Sequence, residues 1–169
     1  GLVDRTDVSH YRLSLHLIIA FFIFALLLWN YLKYRDENIF MPKKRLPQYL
    51  PVIFLMFIFL QICLGAFVSG LDAGQIYQTW PLMNHSYYPD DSSLKDLFSI
   101  KAFETPSIVQ FIHRNIAYVI IILFSFISTI IFRSKDLIYL RKTTVMIFIF
   151  LFLQTFLGIL TVISGAQII

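Results

Sequence analysis

Asn115-Ile116-Ala117-Tyr118-Val119-Ile120-Ile121-Ile122-Leu123-Phe124-Ser125-Phe126-Ile127-Ser128-Thr129-Ile130-Ile131-Phe132 carries no charged side chain. A helix rises about 1.5 Å per residue, so this stretch with its ends reaches across a hydrocarbon core about 30 Å thick. Leu13–Leu32, Leu46–Leu71 and Thr143–Ile169 read the same way. The runs are continuously apolar and rich in Ile, Leu and Phe, which excludes the alternating strands of an outer-membrane barrel. The fold class is therefore all-α, a polytopic membrane bundle of four transmembrane helices, at about 11–33, 48–70, 107–132 and 143–165. Composition agrees. Of 169 residues, 58% are hydrophobic and only 14% charged, more apolar surface than a soluble domain this short can hide.

The net charge of +4 is not a nucleic-acid signal, because its placement follows membrane topology. Lys33, Arg35, Lys43, Lys44 and Arg45 fall in the first connection, and Arg133, Lys135, Arg141 and Lys142 in the third. The second connection, about 71–106, sets Lys95 and Lys101 against Asp72, Asp90, Asp91, Asp96 and Glu104. The positive-inside rule puts the first and third connections on the cytoplasmic side, or its organellar equivalent. Both termini and the long second loop are expected on the outer side. Cys63, the single cysteine, lies in a span and reads as a small apolar residue. No cleavable signal peptide is expected, since Asp4 and Asp7 precede the first span where a basic stretch would stand.

Residues 1–169 form a single membrane domain with an internal repeat. Leu60-Gln61-Ile62-Cys63-Leu64-Gly65 in the second span matches Leu153-Gln154-Thr155-Phe156-Leu157-Gly158 in the fourth, and small residues follow each, Ser69-Gly70 and Ser164-Gly165. Small residues about four apart let membrane helices approach closely, and glutamine can hydrogen-bond across the interface. Pro42, Pro47 and Pro51 bracket the entry to the second helix, where proline costs no internal hydrogen bond. The long loop exceeds a mere connector. Tyr77, Trp80, Pro81, Tyr87, Tyr88 and Pro89 favour an ordered segment at the membrane interface. The second copy of the repeat stops at Ile169, so the chain is expected to be part of a larger bundle.

The polar exceptions in the spans are the functional candidates, because an ionisable group in hydrocarbon is costly. His113 stands one turn inside the third apolar run, in Phe111-Ile112-His113-Arg114-Asn115. A neutral imidazole on a bundle helix suits an axial site on heme iron, and Arg114 beside it can pair with a carboxylate such as a propionate. The bland alternative is a His–Arg pair snorkelling to headgroups or gripping loop carbonyls. His16 lies one turn into the first span, at the same expected depth, with Arg12 four residues earlier. It reads either as a ligand or as hydrogen-bonding glue between helices. His10 and His85 belong to aqueous segments and read as solvated. Asp72, between Gly70 and Gly74, caps or turns the chain; Trp80 and the tyrosines read as an aromatic belt or as a cover for a macrocycle. No phosphate loop, Ser/His/Asp order or Cys/His zinc spacing occurs, and no carboxylate in a span supports a proton-driven transporter.

In order along the chain, Tyr11-Arg12-Leu13-Ser14-Leu15-His16-Leu17, Leu60–Gly74, Tyr77-Gln78-Thr79-Trp80-Pro81-Leu82-Met83, Val109-Gln110-Phe111-Ile112-His113-Arg114 and Leu153–Gly158 resemble heme A synthase. The absence of loop cysteines resembles the proteobacterial and mitochondrial branch of that family. The resemblance implies an architecture of eight helices in two pseudo-symmetric halves, of which this chain corresponds to the fourth through seventh. It implies that His113 and Arg114 bind heme b, with His113 as axial ligand to the iron, and that the opposite ligand lies beyond Ile169. It implies that His16 is a metal-binding and catalytic residue on the side of the substrate, heme O, with its partner histidine on earlier helices. The implied reaction is oxidation of a heme O methyl group to a formyl, giving heme A for cytochrome c oxidase assembly. Implied partners are the lipid bilayer, heme O synthase, and missing helices supplied by another chain or by a homo-oligomer. The implied place is the inner (plasma) membrane, or the mitochondrial inner membrane in a eukaryote. A non-catalytic heme-binding module and a degenerate fragment are the competing readings.

Overall fold

A computed structural model describes residues 9–35 and 45–165. Asp4, Asp7, Pro42, Lys43 and Lys44 lie outside the described residues, as does the stretch after Gly165. Four long helices follow one another: α1 (His10–Arg35), α2 (Tyr49–Gly70), α3 (Pro106–Arg133) and α4 (Arg141–Ile163). Each is long and apolar enough to cross a membrane, so the chain is a multi-pass membrane protein. Among the described residues there is no strand beyond an isolated bridge between Met83 and Ser86.

α3 is the central helix. Ten of its residues are buried, whereas α1 buries only Ser14 and α4 only Thr144. Ile122 and Phe152 each keep 69% of their surface and Trp29 keeps 70%. Such exposure would be ruinous in water but is ordinary against lipid tails, which are as apolar as leucine. With no hydrophobic drive between helices in lipid, association rests on close fit and on polar contacts.

Two apolar clusters join α2 to α3. Leu64, Phe67 and Val109 meet near the long loop. At the opposite end, Leu50 packs with Ile127, Ile131 and Leu137. α1 crosses α2 at a close approach: a Cβ on Gly70 would stand 2.7 Å from the Cβ of His10, so only glycine fits there. One turn along, the hydroxyl of Ser14 lies 3.0 Å from Cys63 Sγ. α4 meets α3 at the Phe124–Phe148 ring contact, 5.8 Å between centroids, and at its first residue. Arg141 donates to the carbonyl of Phe132 at 2.8 Å, satisfying the end of α3, and its guanidinium stacks 5.7 Å from the Phe132 ring.

Residues 71–105 form a folded cover on the end of α3. Asp72 has φ 51° and turns the chain without capping through its side chain, settling that choice in favour of a turn. Asn84, with φ 59°, reverses the chain between Met83 and Ser86. Short 3₁₀ helices follow at Leu94–Phe98 and Ile100–Phe103, the first opened by a reciprocal Ser93–Asp96 capping box. Ala73, Tyr77, Met83 and Ala102 are buried beneath this cover, against the first turn of α3. Of the aromatic and proline residues that favour an ordered loop, Tyr77 and Pro89 are buried, whereas Trp80, Pro81 and Tyr87 stay exposed.

Candidate functional site

Two one-turn spacings build the site. On α2, Gln61 and Gly65 are four residues apart and share a face; on α3, Gln110 and Arg114 do the same, with His113 between them and rotated toward α2. The His113 ring settles against Gly65, where an added Cβ would stand 3.4 Å from Cε1. Its Nε2 lies 3.1 Å from the side-chain nitrogen of Gln61. With the Gln61 amide in this orientation its nitrogen donates, the imidazole accepts at Nε2 with its proton on Nδ1, and Gln61 Oε1 is left buried without a partner among the described residues. That Nδ1 is buried with no partner among the described residues.

Arg114 points the other way, into the cover. It donates to the carbonyls of Thr79 at 2.8 Å, Tyr77 at 2.9 Å and Leu82 at 3.5 Å. Gln110 donates to the same Tyr77 carbonyl at 3.0 Å. Arg114 is 9% exposed, and among the described residues carbonyl dipoles rather than a carboxylate hold its guanidinium. Of the alternatives open from sequence, gripping loop carbonyls is what the geometry shows. One valence is left over: Arg114 Nε is buried and unpartnered, as is Gln110 Oε1.

The cover is stitched to α3 at further points. Trp80 Nε1 donates to Tyr118 at 3.0 Å, Tyr87 donates to Asn115, and Ser92 pairs with Ser107 at 3.1 Å. Tyr77 donates its hydroxyl to Asp90; burial first, then that bond and the nearby Asp91 charge, push its pKa from 10.0 up to about 12. Tyr88 is raised too, by burial and then by the Asp96 and Asp91 charges.

The structure does not bring the two candidate histidines together. Ser14 faces α2, and His16, two residues on, lies on the exposed side of α1. Arg12 is exposed as well. His85 is exposed on the reversal at Asn84. His10 is less solvated than sequence suggests: it packs its ring on Phe67 and Tyr11 and leaves Nε2 buried and unpartnered. Among the described residues no group of three or more His, Cys, Asp or Glu side chains converges, so each imidazole stands by itself. The residues missed by sequence reasoning are Gln110, Asn115 and Tyr118. Gln110 had a signal, a polar side chain one turn before Arg114 in an otherwise apolar helix.

The second copy of the repeat has a different environment. Gln154 is exposed and lines an open apolar groove of about 380 Å³ between α2 and α4, with Phe54, Ile58 and Leu157 among its walls. Nothing lies within 4 Å of where a Cβ on Gly158 would be.

A family model described as cytochrome oxidase assembly protein matches residues 1–169. A heme A synthase of Pelagibacter ubique (strain HTCC1062) is 41% identical over 168 residues, covering 99% of this chain and 48% of that protein. A heme A synthase of Rhizobium johnstonii is 38% identical, over 95% of this chain and 44% of its own length. One of Rickettsia conorii is 36% identical, over 100% of this chain and 50% of its own. The chain spans about half the length of the curated relatives it matches. No solved structure matches.

Proposed function

This chain belongs to the cytochrome oxidase assembly family, and on that premise we propose that it is the part of a heme A synthase that holds a heme b through His113. The observation that carries the proposal is the lone imidazole at the α2–α3 interface, neutral as placed, with an unpartnered Nδ1 and beside an arginine that keeps one donor free. A macrocycle brings four nitrogens of its own, so a single imidazole per face is the donor set it asks of a protein. When bound, heme supplies the iron chemistry by which a methyl group of the substrate, heme O, is oxidised to the formyl of heme A.

The chain's own residues bind, orient and exclude water. Gly65 and Gln61 fix the plane and edge of the His113 ring. Arg114 offers Nε to a propionate while its other nitrogens hold the cover in place. Residues 77–83 are pinned to α3 through Gln110 and Arg114, the residues that bracket His113. His16, on the exposed side of α1, serves a separate site on the heme O side, completed by helices from another polypeptide or a second copy. The positive-inside placement of Arg35, Arg45, Arg133, Lys135 and Arg141 supports an outer-face position for residues 71–105, on the inner membrane or the mitochondrial inner membrane. Heme O synthase is the proposed supplier of the substrate.

The test is co-expression with the remaining helices of a relative in cells that make heme O, followed by heme extraction and chromatography. Heme A is the expected product, lost with His16→Ala and with His113→Ala. A low-spin heme b spectrum without any heme A would favour the non-catalytic heme-binding module instead.

A further inference from the structure

Gln61 occupies the nitrogen of His113 that iron would take. Nδ1 adjoins the Cβ of its own residue and is hindered by the backbone; Nε2 is the end of the ring that reaches outward, and it is the end on which the Gln61 amide sits at 3.1 Å. A group that braces a heme or metal histidine ordinarily engages the nitrogen opposite the iron. Here the opposite nitrogen is the buried, unpartnered one. Gln61 therefore does not brace a ligated ring from the nitrogen opposite the iron.

We propose that Gln61 is a positioning residue that acts as a placeholder: its amide caps His113 Nε2 while the site is empty and gives way to iron on loading. The proposal rests on the reading that His113 ligates heme. Its chemistry is a ligand exchange. The hydrogen bond from Gln61 to Nε2 breaks, a bond from Nε2 to iron forms, the proton stays on Nδ1, and no electron moves. Two consequences follow from the geometry. Capped at Nε2, the imidazole is held in the tautomer whose lone pair faces the α2–α3 interface, so the ring needs no proton shift to bind iron. The cap also competes with iron, because it stabilises only the empty state. The register of the face supports the pairing: Gly65, one turn from Gln61, lets the ring lie flat enough on α2 to reach the amide. The repeat-related Gln154 faces the open groove with no such imidazole beside it among the described residues, so the contact is not a general property of the motif.

The experiment is a hemin titration of the full chain in lipid nanodiscs, followed by Soret absorbance, for wild type, Gln61→Met, Gln61→Ala and His113→Ala. A placeholder predicts that both Gln61 variants bind hemin about threefold more tightly, the factor carried by an average hydrogen bond between membrane helices. A brace predicts the reverse. Nitrogen-15 spectra of the imidazole in the hemin-free protein supply the second reading, with Nδ1–H alone in wild type and mixed tautomers in both variants. Unchanged or weaker hemin binding in both variants, or an unchanged tautomer, overturns the placeholder. Failure of the ligation reading looks different: His113→Ala would then bind hemin as wild type does.

Discussion

Arg114 of α3 donates to the carbonyl of Tyr77 at 2.9 Å, fastening the 71–105 cover to its helix one residue from His113. Tyr77 in turn receives Gln110 at 3.0 Å and sends its hydroxyl to Asp90. α3 and the cover are thus tied through the same short segment, and a change in either reaches the other.

Arg114→Gln keeps polarity but loses the fork that reaches three carbonyls. A hydrogen bond from a charged group contributes about 1.5–3 kcal/mol, so local opening of residues 77–83 should become about tenfold to a hundredfold more frequent. Hydrogen–deuterium exchange in nanodiscs measures it directly. Gln110→Leu, which removes one neutral donor to Tyr77, should raise exchange by less. Equal exchange in wild type and Arg114→Gln would show that the cover is held by its buried apolar residues alone.

Two glycines provide a paired test of packing, Gly70 at a tight crossing and Gly158, the repeat partner of Gly65, in the open. Gly70→Ala places a methyl 2.7 Å from His10 Cβ, and overpacking of this kind costs about 1–3 kcal/mol. Gly158→Ala meets nothing within 4 Å and should be close to neutral. Disulfide trapping between cysteines placed on α1 and α2 should fall in the first variant and hold in the second.

Tyr77 gives the cover a pH limit. Its pKa rises from 10.0 to about 12 on folding, so the neutral phenol is the form the fold stabilises. A group with a raised pKa contributes fully below its unfolded value and loses that contribution as pH climbs through the folded one. The cover should therefore hold up to about pH 10 and loosen between pH 10 and 12. Tyr77→Phe should shrink that step, leaving the part carried by Tyr88, in an alkaline titration followed by tryptophan fluorescence of Trp80.

Much of this was legible in the sequence, for physical reasons that also mark where legibility stopped. Uninterrupted apolar runs declare membrane helices because hydrocarbon forbids unpaired backbone and charge, and those runs are α1 to α4. Gln61 and Gly65 announced a close, polar helix contact, and both face His113. Their repeat partners, Gln154 and Gly158, read identically yet lie exposed, since a motif fixes a face but not what covers it. Arg114 was visible as a buried cation; its acceptors lie 32 to 37 positions away on an irregular segment with no periodicity to follow. For His16, depth along the helix came from counting residues, whereas its outward direction depends on how α1 crosses α2 at Gly70.

The central claim is that His113 carries the heme, and absorbance and electron paramagnetic resonance of His113→Ala test it most directly. The chain, co-expressed with the remaining helices of a relative, should bind heme b as a low-spin species. His113→Ala should lose that signal while the protein remains inserted and the Arg114–Tyr77 contact keeps the exchange of residues 77–83 at its wild-type level. An intact low-spin spectrum in His113→Ala would contradict the account.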